Sequence, residues 1–442
     1  MNLSSSLSII NSVPTIAVRI VPKLAADAMR RPFHLTLLLD TSGSMDGARI
    51  TAVKRTLHLL IDAMMDSDVL SIIGYSNVAN VLSKATILTA ASKLILHTTV
   101  DSMVAGGGTN LECALLAITS LVSDIVKPID AVFILTDGQI NCGVESPSGL
   151  QRIIGSVVPL GTPINMLGFG SDHNASLLRD IALRSRGSYT YADADEMIPA
   201  IIGDITGGLE NEVGRNGVLP IPAGWRCVEL GCAEDDTEYT VGTLISEKEQ
   251  WVVLAAKTAD APIPATIRFG WNGACFAACS LDYSITADEI VEQYERTRVA
   301  LAFMEVSRLI EIYDIERART ILKELSTELS TCKAAHRSFV IRLHAQVDEM
   351  LDALTGFGTA TATSFPAFAA FGAIPPPPGT AGYQLAPLLS RMASNTSALG
   401  AQRGFLSHII SNTSDAVDHS FSSPQQRVTS RAISSNYSQE AP

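Results

Sequence analysis

The stretch that most limits what this chain can fold into runs Leu35-Thr-Leu-Leu-Leu-Asp-Thr-Ser-Gly-Ser-Met45, an apolar run that stops on an acid and a cluster of hydroxyls. Apolar apart from Thr36 until the acid, it suits a strand buried on both faces of a parallel sheet. A helical pattern follows from about Ala48 to Met65. Asp40, Ser42 and Ser44 therefore emerge where a strand's carboxyl end meets a helix, the place where open α/β sheets put their ligands.

An aspartate and two serines at alternate positions can turn three oxygens toward one point, and such a set suits a hard divalent cation, whereas softer metals want sulfur or imidazole. Two further stretches extend it. Gly106-Gly107-Gly108-Thr109-Asn110 places a threonine on a glycine-rich loop before a helix, and Val132-Phe133-Ile134-Leu135-Thr136-Asp137-Gly138 ends another apolar run on an acid. Each piece alone has an ordinary reading, as a turn capping a helix or a phosphate-binding loop. The lysine of a phosphate-binding Gly-x-x-x-x-Gly-Lys-Ser/Thr loop is absent, which leaves nucleotide hydrolysis unsupported.

In this order and at strand ends, the pieces resemble the von Willebrand factor A (vWA) domain family, whose metal-ion-dependent adhesion site uses Asp-x-Ser-x-Ser, a distant Thr and a distant Asp. The matching residues are Asp40, Ser42, Ser44, Thr109 and Asp137. The resemblance implies magnesium, or manganese or calcium, held directly by Ser42, Ser44 and Thr109, with Asp40 and Asp137 contributing directly or through water. Magnesium prefers six oxygens and rarely takes all from protein, which leaves a position for an acidic side chain of a protein partner.

The formal charge of -13 over 442 residues argues against non-specific nucleic-acid binding. No segment reaches the roughly 20 apolar residues of a membrane span. The amino-terminal stretch carries no basic n-region, and its apolar run is broken by Asn11, Pro14 and Arg19; with seven scattered cysteines, the expectation is an intracellular, cytoplasmic protein with reduced thiols. Cys227, Cys232, Cys275 and Cys279 raise the alternative of zinc, but the two pairs are separated by four and three residues and lack a Cys-x-x-Cys knuckle. Buried strand cysteines are the expected reading.

Along the chain, Ile16, Val18 and Ile20 alternate with Thr15, Ala17 and Arg19, the pattern of a half-buried strand. Residues 33–210 then alternate strands (33–39, 69–75, an edge segment near 78–83, 130–136, 163–169, 188–191) with helices (48–65, 90–103, 110–124, one between the strands at 130–136 and 163–169, 174–186, 194–209). That alternation predicts a doubly wound, mostly parallel α/β sheet of Rossmann-like type. Residues 211–285 carry β-rich runs at 225–230, 238–244, 250–256, 266–271 and 274–281, an antiparallel sandwich pattern that the strand within residues 1–32 completes. The α/β domain would then be inserted in, or followed by, the sandwich.

Thr286-Ala-Asp-Glu289 is a capping box, and it opens a helix to about Tyr313 with Ile290, Tyr294, Leu301 and Met304 toward a core. Helices near 314–329 and 333–354 complete a C-terminal helical region, 286–355. Residues 356–442 are rich in Ala, Gly, Pro and Ser, include Pro375 to Pro378, and read as a largely disordered tail with short helices at 385–392 and 404–410.

Met166-Leu-Gly-Phe-Gly-Ser-Asp-His173 and Gly187-Ser-Tyr-Thr-Tyr191 resemble intracellular vWA proteins related to the plant WAVY GROWTH group, many of which carry a RING finger. No RING pattern precedes residue 35. The expected function is a divalent-cation-dependent protein-binding module and not an enzyme, because neither His34 nor His173 offers a convincing base. The alternatives are a substrate-recruiting subunit of a ubiquitin-ligase-type complex and a metal-independent structural scaffold. Gly207-Gly208 is read either as the end of the last α/β helix or as a hinge that follows metal occupancy.

Overall fold

The computed structural model describes residues 1–24, 30–122, 127–137, 140–159, 161–169, 175–185, 187–192, 198–231, 236–312 and 314–356. The chain opens with a hairpin, β1 (Asn2–Ile10) and β2 (Val13–Val21). It then alternates through β3 (His34–Asp40), α1 (Ala48–Ala63), β4 (Val69–Tyr75), β5 (Ala79–Ile87), α2 (Ala90–Asp101), α3 (Leu111–Val122), β6 (Ala131–Thr136), α4 (Pro147–Val157), β7 (Ile164–Phe169), α5 (Ala175–Arg184), β8 (Tyr189–Ala192) and α6 (Ile198–Glu210). Short strands follow: β9 (Glu212–Gly214), β10 (Gly217–Pro220), β11 (Trp225–Cys227), β12 (Glu238–Val241), β13 (Leu244–Ile245), β14 (Gln250–Ala256), β15 (Ile267–Trp271) and β16 (Cys275–Cys279). Three helices, α7 (Ala287–Glu311), α8 (Ile315–Thr331) and α9 (Ser338–Gly356), close the described chain. Two compact units result, one from residues 25–212 and one from Met1–Leu24 with the described residues from Val213 onward.

In the first unit a six-stranded sheet runs β5-β4-β3-β6-β7-β8. All neighbouring pairs are parallel except β4 with β5, the antiparallel edge. Every residue of β3, β4 and β6 is buried, because helices cover both faces. Leu35, Leu37 and Leu39 pack with Val53, Leu57 and Leu60 of α1, Leu96 of α2 and Ile198 and Ile202 of α6. The opposite face is covered by α3 to α5, whose Leu115, Ile118, Leu150 and Ile181 are buried. Gly207 and Gly208 lie inside the last turns of α6, which runs on to Glu210, so they do not end it. Asn211 Nδ2 donates to the Gly207 carbonyl at 2.8 Å and caps the helix instead.

The second unit holds two four-stranded antiparallel sheets, β1-β2-β14-β11 and β12-β10-β15-β16. Ile16, Val18, Ile20, Trp225 and Leu254 of one meet Leu219, Tyr239, Ile267 and Phe269 of the other in a single core. The strand expected to be half-buried is buried on both faces. Ala17, with Ile10 and Trp251, packs instead against Ile290, Val299, Phe303 and the rest of the helical layer. β1, not anticipated, pairs along the whole of β2 through a two-residue turn in which Asn11 and Ser12 take φ of 49° and 66°.

Two further readings change. The run 225–230 is a strand only to Cys227; Val228–Leu230 is a 3-10 turn, where the half-buried Glu229 accepts at its carboxylate from Val253 N at 3.0 Å. The capping box at Thr286 and Glu289 forms, but Met304 is 36% exposed and the α7 core stripe runs through Val299, Phe303, Val306 and Ile310. Cys232, His173, Ala194 and the tail with its proline run and expected short helices lie outside the described residues.

Candidate metal centre at the carboxyl edge of the sheet

β3 sits between β4 and β6, and the connections leave it in opposite directions: α1 leads to β4 on one side, while β6, β7 and β8 build outward on the other. This is the topological switch point, and a crevice opens beyond the strand ends there. Leu39 lies opposite Leu135, so Asp40 and Thr136 are the next pair along and Asp137 is the first residue past the strand. Asp40 is 0% exposed, Asp137 1%, Ser42 2% and Thr109 3%. Ser44 alone is exposed, on the short 3-10 turn Gly43–Met45 before α1, so the donor set has an open side.

Asp40 Oδ1 accepts from the Ser42 backbone N–H at 2.8 Å, and its Oδ2 from Thr136 Oγ1 at 2.6 Å. The Ser42 and Ser44 hydroxyls are 3.0 Å apart, and Ser44 Oγ donates to Asp137 Oδ1 at 2.8 Å. The other Asp137 oxygen pairs with the Arg49 guanidinium. Thr109 reaches the same edge through its loop: Gly43 N donates to Gly107 O at 2.9 Å and Gly106 N to Thr41 O at 2.8 Å. Gly107 takes φ of 88° there, and a Cβ would meet Asn77 Nδ2 at 3.1 Å. Asn141 fixes Thr109 from the far side, its Oδ1 accepting from Thr109 N at 2.9 Å and its N donating to Thr109 O at 3.1 Å. Asp40, Ser42, Ser44 and Asp137 thus form one hydrogen-bonded cluster, with Thr109 buried on the loop docked beside it.

The electrostatics favour a cation. Burial pushes the Asp40 carboxyl above its usual value and the Asp137 charge adds to that, while bonds from Thr136 and Ser42 oppose it. Burial also lifts the Tyr75 phenol well above its usual value, with the Asp40 charge contributing. Two buried carboxylates facing one partly exposed guanidinium leave uncompensated negative charge, and hydroxyl and carboxylate oxygens are the ligands of a hard divalent ion. The residues fit such an ion.

His34 begins β3, about 20 Å from Asp40 along a strand of this length. It is buried, donates from Nδ1 to Lys127 O at 3.0 Å, and accepts at Nε2 from Ser71 Oγ at 2.9 Å; burial holds its imidazole below the ordinary value. It is a satisfied core side chain. The three described cysteines of the zinc alternative are not brought together: Cys227 Sγ donates to Glu229, Cys279 Sγ meets Ser5 Oγ at 3.3 Å, and Cys275 is exposed. Among the described residues no group of three or more His, Cys, Asp or Glu side chains converges as a metal cluster. Sequence reasoning missed Arg49, Thr136 and Asn141. Thr136, as the hydroxyl preceding a strand-end acid, carried a signal; Arg49 and Asn141 carried none.

Residues 34–204 match the family model of the von Willebrand factor type A domain. The chain is 27% identical over 164 residues to the uncharacterized protein YfbK of Escherichia coli (strain K12), a match covering 36% of this chain and 28% of that protein. It is 26% identical over 206 residues to inter-alpha-trypsin inhibitor heavy chain H3 of Homo sapiens, covering 43% of this chain and 23% of that one. The match thus spans about a quarter of each of these relatives. The fold is similar to that of a von Willebrand factor type A protein from Catenulispora acidiphila, with a TM-score of 0.56 and 16% identity over 77% of this chain and 88% of that one. Domains of this type generally mediate protein–protein interaction and commonly hold a divalent metal at an adhesion site. Residues 34–204 of this chain are a von Willebrand factor type A domain.

Proposed function

We propose that this protein is a divalent-cation-dependent protein-binding module and not an enzyme. Asp40, Ser42, Ser44, Thr109 and Asp137 would hold magnesium, and an acidic side chain of a protein partner would complete its shell. The observation that carries the reading is the hydrogen-bonded cluster in which Asp40 accepts from the Ser42 backbone N–H and the Ser42 hydroxyl leads through Ser44 to Asp137, at the switch point of the sheet and exposed at Ser44. The ion would supply a Lewis-acidic position for a carboxylate. The chain supplies the rest. Thr136 and the Ser42 backbone fix the Asp40 carboxylate, Asn141 fixes the Thr109 loop, and Arg49 balances Asp137. Among the described residues no imidazole lies within the cluster, and His34 belongs to the other end of its strand, where both ring nitrogens are engaged.

Calorimetric titration of magnesium into the protein and into an Asp40→Ala, Ser42→Ala double variant tests the reading. Binding to the first that is lost in the second supports it, and equal affinity in both overturns it. Capture of an acidic-peptide ligand that is abolished by chelator would extend the support to the partner.

A further inference from the structure

The α1–α2 seam carries a second constellation, unrelated to the adhesion cluster. Each helix presents a His-x-x-x-Asp pair at i, i+4 spacing, His58 with Asp62 on α1 and His97 with Asp101 on α2, so that each pair shares one helix face. The pairs interlock across the seam. His58 Nε2 lies 3.0 Å from Asp101 Oδ1 and His97 Nε2 lies 3.0 Å from Asp62 Oδ1, each histidine meeting the carboxylate of the other helix. The two Nδ1 atoms are 2.7 Å apart. The ring centroids are 4.9 Å apart, so the nitrogens lie between the rings, near the line joining them.

The protons decide what this arrangement can hold. A carboxylate accepts only, so each Nε2 carries a hydrogen and donates it. In a neutral imidazole the Nδ1 is then a bare lone pair, and two such lone pairs face each other at 2.7 Å. One proton shared as Nδ1–H···Nδ1 fits this spacing, and a metal ion fits it once the gap opens slightly. A histidine whose far nitrogen donates to a carboxylate is also the usual form of a metal-ligating histidine, the carboxylate fixing the tautomer and raising the basicity of the ligating nitrogen.

We propose that His58 and His97 form a two-histidine site for a borderline divalent ion of the zinc and copper class, ligated through both Nδ1 atoms, with Asp62 and Asp101 as its outer carboxylates and water filling the remaining positions. Imidazole suits these ions and not magnesium, which separates the site chemically from the all-oxygen cluster. It is separated in space as well: His58 lies ten residues into α1, about 15 Å along the helix from its start at the adhesion loop. At a metal–nitrogen distance of about 2.0 Å a tetrahedral ion needs its two nitrogens about 3.3 Å apart. The gap therefore opens by roughly half an ångström, within reach of side-chain rotation. Both imidazoles are accessible, 28% and 25% exposed. The nearby cations are directed elsewhere: Lys93 Nζ donates to Met64 O at 2.6 Å and Lys54 Nζ to Asp101 O at 2.8 Å.

The test is zinc titration of the full chain in excess magnesium, which saturates the oxygen cluster, together with the electron paramagnetic resonance spectrum of one equivalent of Cu²⁺. A His58→Gln, His97→Gln double variant sets the background from thiols and other histidines. Expected are a zinc affinity at least tenfold above that background and two coupled imidazole nitrogens in the copper spectrum. Asp62→Asn with Asp101→Asn should weaken zinc about tenfold or more while leaving both nitrogens coupled. The same zinc affinity and copper spectrum in the protein and the double variant would overturn the site and leave the pair holding a proton alone. Retention of a native melting profile by the histidine variant excludes misfolding as the cause.

Discussion

Arg49 offers the sharpest test of the charge balance at the oxygen cluster. Its guanidinium is the cation paired with Asp137, whose side chain is fully buried while that of Arg49 is 32% exposed. In Arg49→Ala, Asp137 Oδ1 keeps the Ser44 hydroxyl, but Oδ2 loses its charged donor with Asp40 still nearby. Removing one partner of a fully buried pair costs about 3–5 kcal/mol, and a single hydrogen bond to a charged group about 1.5–3. Partial exposure of Arg49 places the expected loss at the lower end, about 2 kcal/mol, or about 4–8 °C in the melting of a domain of this size. Magnesium held there at about 100 times its dissociation constant would contribute about 2.7 kcal/mol and bring its own charge to the same carboxylates. The deficit should therefore be largest in chelator and clearly smaller in magnesium. Differential scanning calorimetry in both conditions reads it. Tryptophan fluorescence serves as the control, because Trp225, Trp251 and Trp271 all belong to the other unit. An identical loss in chelator and magnesium would refute the idea that Arg49 and the ion balance the same charge.

Three further outcomes are expected. Thr136→Val removes the 2.6 Å bond to the buried Asp40 carboxylate and should lower stability by about 1.5–3 kcal/mol in chelator, measured by urea denaturation followed by circular dichroism. His34 has its pKa lowered from 6.5, so the folded form stays neutral while the unfolded chain takes up a proton. Its contribution is complete above pH 6.5 and is lost as pH falls through and below that value, and His34→Gln should show a shallower loss of stability between pH 6.5 and about 5. At Gly187 a Cβ would lie 1.9 Å from the Ile164 backbone oxygen, so Gly187→Ala should force strands β7 and β8 apart and yield little soluble protein, measured as soluble yield.

The α/β half was legible because its central strands are buried on both faces and therefore read as unbroken apolar runs ending on functional residues, as His34–Asp40 and Ala131–Thr136 do. β1 was not legible, since a segment with Ser4, Ser5, Ser6 and Ser8 looks like a loop. Its hydroxyls find partners only in the folded chain: Ser5 Oγ reaches Ser280 O at 3.3 Å, and Ser6 Oγ accepts from Ile285 N at 3.0 Å. β10 was hidden in the same way by its opening Gly217 and closing Pro220. At the site, the side chains that reach the cluster from the motif itself were readable. Arg49 was not, because only the start of α1 against the β6 terminus brings it to Asp137.

The pairing of β2 with β14 also sets an order of events during synthesis. Ile16 pairs with Leu254, some 238 positions later. At about 5–20 residues per second the first strands wait more than ten seconds for that partner to be made. The intervening α/β unit has all its own strands by then, and its entry and exit are clamped by ion pairs from Arg30 to Glu210 at 3.2 Å and from Arg31 to Glu212 at 3.5 Å. Once clamped, it turns the long closure of the sandwich into one of a few tens of residues, which lowers the entropic cost by about 1 kcal/mol. The α/β half of the molecule is thereby the scaffold on which the two ends of the other half are brought together.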